Sequence, residues 1–91
     1  MTDDALTETQ QSIVEECRRV AELLVAKNRA YGDSALDPLR VFSRADPVEQ
    51  LRVRIDDKLS RIARGDSIGE DTVLDLLGYL VLLRVAQGKG R

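Results

Sequence analysis

The sequence predicts an all-α protein: an antiparallel bundle of three main helices plus a short connecting segment. Three observations lead there. Apolar residues recur at helical spacing in three separate stretches. Helix-start residues precede each stretch, and glycines close the first two. No stretch shows the period-two alternation of a strand, and there is no internal repeat or low-complexity tract.

Thr7 with Gln10 makes a capping box for the first helix, in which each side chain answers the other's backbone N–H. Ile13, Cys17, Val20 and Leu24 then form one stripe, with Val14, Ala21 and Val25 beside it. This helix is expected from Glu8 to Ala30 and to stop at Gly32, which can take a positive φ. Ser34 to Ala45 is expected to be an ordered connection with at most a short turn, because Pro38 interrupts any helix. Its Leu36, Leu39, Val41 and Phe42 are too apolar for an open loop and are expected to cover the bundle.

Asp46-Pro47-Val48-Glu49 starts the second helix, with Asp46 at N-cap, Pro47 at N1 and Glu49 at N3. It is expected to run to Arg64 and stop at Gly65, with Val48, Leu51, Ile55, Leu59 and Ile62 as its apolar stripe. Ser67 with Glu70 offers a third capping box, so the last helix is expected from Ile68 to Ala86. That helix is apolar almost all round, the mark of a central helix or one shared with a partner subunit. One domain over residues 1–91 follows, with 1–7 and 87–91 as flexible ends.

Composition narrows the function. Hydrophobic residues make up 43% of the 91 and aromatics 3%, so the core must be Leu, Val, Ile and Ala. Such a small core is marginal alone, and completion by another copy, as a homodimer or higher homo-oligomer, is expected. A net charge of −2 gives no electrostatic drive toward duplex nucleic acid. Histidine is absent, which excludes His-based acid–base work, Ser–His and Cys–His pairs, and His-containing zinc sites. Cys17 is the one cysteine, so neither an internal disulfide nor a thiolate zinc cluster can form, and it reads as a small buried hydrophobe. The N-terminus is acidic and the longest apolar run is too short to span a bilayer, which points to a cytoplasmic protein without membrane partners.

The chemistry concentrates around Asp75, a carboxylate within an otherwise apolar run from Val73 to Leu83. Burying it requires a cation, a metal or several donors. Arg54, Asp57, Lys58 and Arg61 are spaced i, i+3, i+4, i+7 and form one charged face beside the apolar stripe of the second helix. Two readings of Asp75 stay open: a structural salt bridge to Arg54, Lys58 or Arg61, and a ligand for Mg²⁺ on a phosphate. Asp71 shares a face with Asp75, Tyr79 and Leu82. An i, i+4 pair of acids repels unless a cation lies between, whereas an acid at a helix start is also ordinary. On the first helix Glu16 is the acid to place near a metal. Lys27 and Asn28 form a polar patch with Tyr31, Gly32 and Asp33, which also suits plain capping.

Three blocks, Lys27-Asn28-Arg29-Ala30-Tyr31-Gly32-Asp33, Asp57-Lys58-Leu59-Ser60-Arg61 and Asp71-Thr72-Val73-Leu74-Asp75-Leu76-Leu77-Gly78-Tyr79, resemble a phage and bacterial family called nucleotide modification associated domain 1. The pattern spans Lys27 to Leu83, and the chain looks most like versions encoded by actinobacterial phages, which would place it in the host cytoplasm. That family is similar to the MazG-like all-α nucleoside triphosphate pyrophosphatases. In those enzymes helix carboxylates hold Mg²⁺ on the triphosphate and water attacks to release pyrophosphate. The resemblance implies a MazG-like bundle with Asp57, Asp71 and Asp75 on Mg²⁺ (or Mn²⁺), Asp57 and Asp75 being catalytic. It implies Lys58 and Arg61 on phosphate, joined by Lys27 and Arg54, and Asn28, Tyr31 and Tyr79 on base or sugar. The chain departs from the wider superfamily where it reads Glu16-x-x-Arg19 and Thr72-x-x-Asp75, since a second acid is missing from each pair.

Three readings follow. The first is a Mg²⁺-dependent nucleotide pyrophosphohydrolase, which needs no histidine because the metals activate water. The second is a non-catalytic protein that sequesters a nucleotide or cyclic nucleotide. The third is a helical oligomerisation module without a small-molecule ligand.

Overall fold

Hydrogen bonds at the helix ends set the limits of each element. The structure, a computed structural model, describes residues 5–36, 46–65 and 71–89. They form α1 (Glu8–Tyr31), α2 (Pro47–Arg64) and α3 (Thr72–Lys89), an all-α three-helix bundle. At the start of α1 the Thr7 hydroxyl accepts from Gln10 N at 3.1 Å, and Thr7 N donates to Gln10 Oε1 at 3.0 Å. α1 ends at Gly32, whose φ is +67° and whose N donates to Asn28 O. Asp46 Oδ1 accepts from Glu49 N at 2.8 Å, and Pro47 fills the first turn of α2, where a missing N–H is harmless. Gly65 closes α2 in the left-handed region, at φ +68°.

α3 differs from expectation at both ends. Its first described residue is Thr72, where Asp71 acts as N-cap: Asp71 Oδ1 accepts from Leu74 N and Asp71 O from Asp75 N, both at 3.0 Å. The expected Ser67–Glu70 box lies outside the described residues, as do Leu39, Val41 and Phe42 of the connection. At the other end α3 continues through Lys89, three residues past the expected Ala86.

α3 is the central helix. α2 packs along it most extensively, α1 less so, and α1 and α2 do not meet among the described residues. Arg54 lies against Tyr79 and Lys58 against Asp75, so α2 and α3 run antiparallel. Leu24 lies against Gly78 while Cys17 shares a groove with Leu77 and Val81, so α1 is antiparallel to α3 as well. A Cβ placed on Gly78 would stand 3.2 Å from Leu24 Cδ2, tighter than an ordinary van der Waals contact, so α1 packs closely on α3 at Gly78.

Few side chains are fully covered. Val20 and Leu51 are the buried hydrophobic residues among those described, with Thr72 as a buried polar one. The α2 stripe is covered only in its first half: Leu51 is buried and Ile55 half-buried, while Leu59 and Ile62 are exposed. Cys17 corrects the expectation of a buried hydrophobe, for it is exposed, at the open groove between α1 and α3. The radius of gyration is 15.8 Å, against about 12 Å for a compact domain of this length, and the axes measure 54 × 35 × 24 Å.

Candidate functional site

The C-terminal end of α1, the turn after it and the first three turns of α3 enclose a cavity of about 160 Å³. Its apolar wall includes Leu23, Leu24, Leu36, Leu74 and Leu82. Its polar lining is Lys27, Asn28, Tyr31, Asp33, Ser34, Asp75 and Tyr79. Sequence blocks some forty-odd residues apart are brought together because α1 and α3 are antiparallel, so the end of α1 meets the start of α3. Gly78 lines the cavity too, and its lack of a side chain keeps the space open.

Asn28 shapes the turn. Its Nδ2 donates to Asp33 Oδ1 at 2.7 Å and to Gly32 O at 3.3 Å, tying the chain back over the end of α1. Both amide hydrogens are thereby engaged, and the side-chain carbonyl is the atom left to meet a ligand. Leu36 N donates to Asp33 O at 2.9 Å, which continues the turn and brings Leu36 to the cavity wall. Tyr31 is 74% exposed and lines the cavity, and its ring is an aromatic surface of the kind on which a planar group stacks. The same patch both caps the end of α1 and lines the cavity.

Asp75 takes the salt-bridge arrangement that the sequence left open. Lys58 Nζ stands 3.5 Å from Asp75 Oδ2, with the side chains 13% and 25% exposed. The Arg54 guanidinium sits 5.9 Å from the centre of the Tyr79 ring, a cation–π contact of about 0.5–1 kcal/mol. Both α2 cations thus hold cavity residues from the α2 side and do not line the cavity. Arg61 Nε pairs with Asp57 Oδ2 at 3.2 Å along α2 itself. Lys27 is the one sequence-predicted phosphate contact that lines the cavity among the described residues.

The four predicted metal carboxylates are dispersed. Asp75 lines the cavity, Asp71 caps α3, Asp57 pairs with Arg61, and Glu16 pairs with Arg19 beside an apolar groove. Among the described residues no three acids or thiols form a group able to hold a metal ion. The cavity does contain two carboxylates, Asp33 and Asp75. That pair fits the common pattern for Mg²⁺, one or two protein carboxylates completed by phosphate oxygens and water. Asp33 was legible only as part of the Tyr31-Gly32-Asp33 turn. That it lines the same cavity as Asp75 depends on how α1 and α3 pack.

No described helix is long and apolar enough to cross a membrane. Comparison with known proteins finds no matching family model, no similar curated protein and no similar solved structure.

Proposed function

We propose that the chain binds a nucleotide in the cavity between α1 and α3. The observation that carries this is the convergence of Lys27, Asn28 and Tyr31 with Asp75 and Tyr79 on one apolar-walled space. Each type has a task there: an aromatic ring to stack a base, an amide carbonyl to accept from it, and an ammonium to meet phosphate. A cavity of about 160 Å³ is smaller than the roughly 300–1,000 Å³ of sites that enclose a drug-sized ligand. It suits one moiety, such as the base, with sugar and phosphates lying across the exposed end of α1. The sequence resemblance to nucleotide-handling proteins supports the same reading.

A second reading, Mg²⁺-dependent pyrophosphohydrolysis, is favoured by the presence of both Asp33 and Asp75 in the cavity lining. A divalent ion held there would neutralise phosphate charge and supply an activated water. Calorimetric titration of the full chain with NTPs, dNTPs and cyclic nucleotides, with and without Mg²⁺, tests both. Binding is expected, and Lys27→Ala or Tyr31→Ala should each weaken it by about tenfold or more. Failure of every nucleotide to bind the folded chain overturns the proposal. Pyrophosphate release that needs Mg²⁺ and disappears in Asp75→Asn establishes the hydrolase. Binding that is indifferent to metal and without turnover establishes the sequestering protein.

A further inference from the structure

We infer that the base taken by the cavity between α1 and α3 carries an exocyclic amine, as adenine, cytosine and guanine do and thymine and uracil do not. This rests on the nucleotide reading above and narrows it. The hydrogen-bond state of Asn28 carries it. Asn28 Nδ2 lies 2.7 Å from Asp33 Oδ1 and 3.3 Å from Gly32 O, a carboxylate and a carbonyl oxygen that accept and do not donate. A flipped amide would set its own oxygen against these two, so the network fixes the orientation. What Asn28 has left for a ligand is Oδ1, which accepts only.

The two carboxylates of the lining are acceptors of the same kind. Asp33 takes the Asn28 amide on Oδ1, which leaves Oδ2. Asp75 meets Lys58 through Oδ2, which leaves Oδ1. Among the described lining residues Lys27 is the one cation, and the hydroxyls of Tyr31, Ser34 and Tyr79 donate or accept as a ligand requires. These other groups do not tell bases apart. An aromatic face stacks on any base, and an ammonium on phosphate meets the same group in every nucleotide. Discrimination falls to the fixed acceptors. Cytosine N4, adenine N6 and guanine N2 offer them N–H donors, whereas thymine or uracil O4 sets an oxygen against them. An acceptor desolvated by a ligand that gives it no hydrogen is left unpaired, which weakens binding of that ligand.

Matched nucleotides isolate this contact, because sugar and phosphate contributions cancel within each comparison. Calorimetric titration of the full chain, in EDTA and again in Mg²⁺, should give CTP an affinity above that of UTP by about fivefold or more. ATP or GTP should exceed inosine triphosphate, which lacks both purine amines, by a similar factor. Equal affinity for CTP and UTP overturns the inference, and so does inosine triphosphate binding as tightly as both ATP and GTP. In either case the nucleotide reading stands, whereas failure of every nucleotide to bind in both conditions overturns that reading and the inference together. Asp75→Asn exchanges a carboxylate oxygen for an amide that can donate to a base carbonyl, so the ratio of CTP to UTP affinity should fall toward one. A merely structural loss would weaken both nucleotides alike. An unchanged ratio in folded Asp75→Asn overturns the part given to Asp75. The wild-type ratios decide the matter even if the variant fails to fold.

Discussion

At the scale of the residue, Asp75 and Lys58 illustrate how a costly group is accommodated. Asp75 lies on the most apolar helix of the chain, and its side chain is 25% exposed beside a Lys58 side chain that is 13% exposed. Desolvating two charges offsets much of their attraction, so the pair contributes less to stability than its removal by halves would cost. Its clearer effect is positional, since it sets α2 against α3 at the level of the cavity. Lys58→Met and Asp75→Asn should each destabilise the fold, and the double variant should lose less than the sum of the two. A coupling of about 0.5–2 kcal/mol is expected from urea unfolding, between values for exposed and for buried contacts. Additive losses would show that the pair contributes no interaction energy. Asp57 and Arg61, 51% and 38% exposed, belong to the weaker class of surface pairs.

At the scale of the element, the helix ends are governed by local chemistry. Asp46, Thr7 and Asp71 each supply an oxygen to a backbone N–H three residues on, and Gly65 supplies the left-handed residue that ends α2. Asp71 is where this chemistry competes with a metal role. As an N-cap it is worth about 0.5–2 kcal/mol, and Asn serves a cap about as well as Asp. Asp71→Ala should therefore lower stability by that amount in thermal or urea unfolding, while Asp71→Asn should retain both stability and nucleotide binding. Loss of Mg²⁺-dependent binding in a stable Asp71→Asn would instead give Asp71 a place on the metal. The middle of α2 is less local: Leu51 is buried and Leu59 is 50% exposed, although both belong to one apolar stripe. The stripe is continuous in sequence, but the packing along it is not.

At the scale of the whole molecule, the cavity depends on the approach of α1 to α3. At Gly78 the approach is close, with Leu24 Cδ2 3.2 Å from the position of an added Cβ. Gly78→Leu must separate the helices or fill the cavity. It should cost about 1–3 kcal/mol of stability by overpacking and abolish nucleotide binding while α3 stays helical. Circular dichroism with calorimetry checks this, and unchanged binding would place the ligand elsewhere. The small number of buried hydrophobic side chains also belongs to this scale. Among the described residues only Val20 and Leu51 are buried hydrophobic side chains, so the described helices hold one another through few fully covered contacts.

The legibility of the chain follows these scales. Helix identity, the ends of α1 and α2, and the groups worth watching were readable because caps, glycines and helical periodicity act within three or four residues. Ser67–Glu70 and Asp71 both carry start signals; the first pair lies outside the described residues, and the described α3 follows Asp71. Cys17 was misread because periodicity shows which face of α1 is apolar without showing whether anything covers it. The candidate site was half legible. Lys27, Asn28, Tyr31, Asp75 and Tyr79 meet as one lining, while Asp33 gains its place only through packing. By itself the sequence determined three helices, most of their limits and a chemistry without histidine or paired cysteines. Tertiary structure alone decided that Lys58 and Arg54 hold the cavity residues from the α2 side while Lys27 lines the space itself. The physical reason is that rotation and crossing of helices are set by contacts between residues distant in the chain, which no local hydrogen bond specifies.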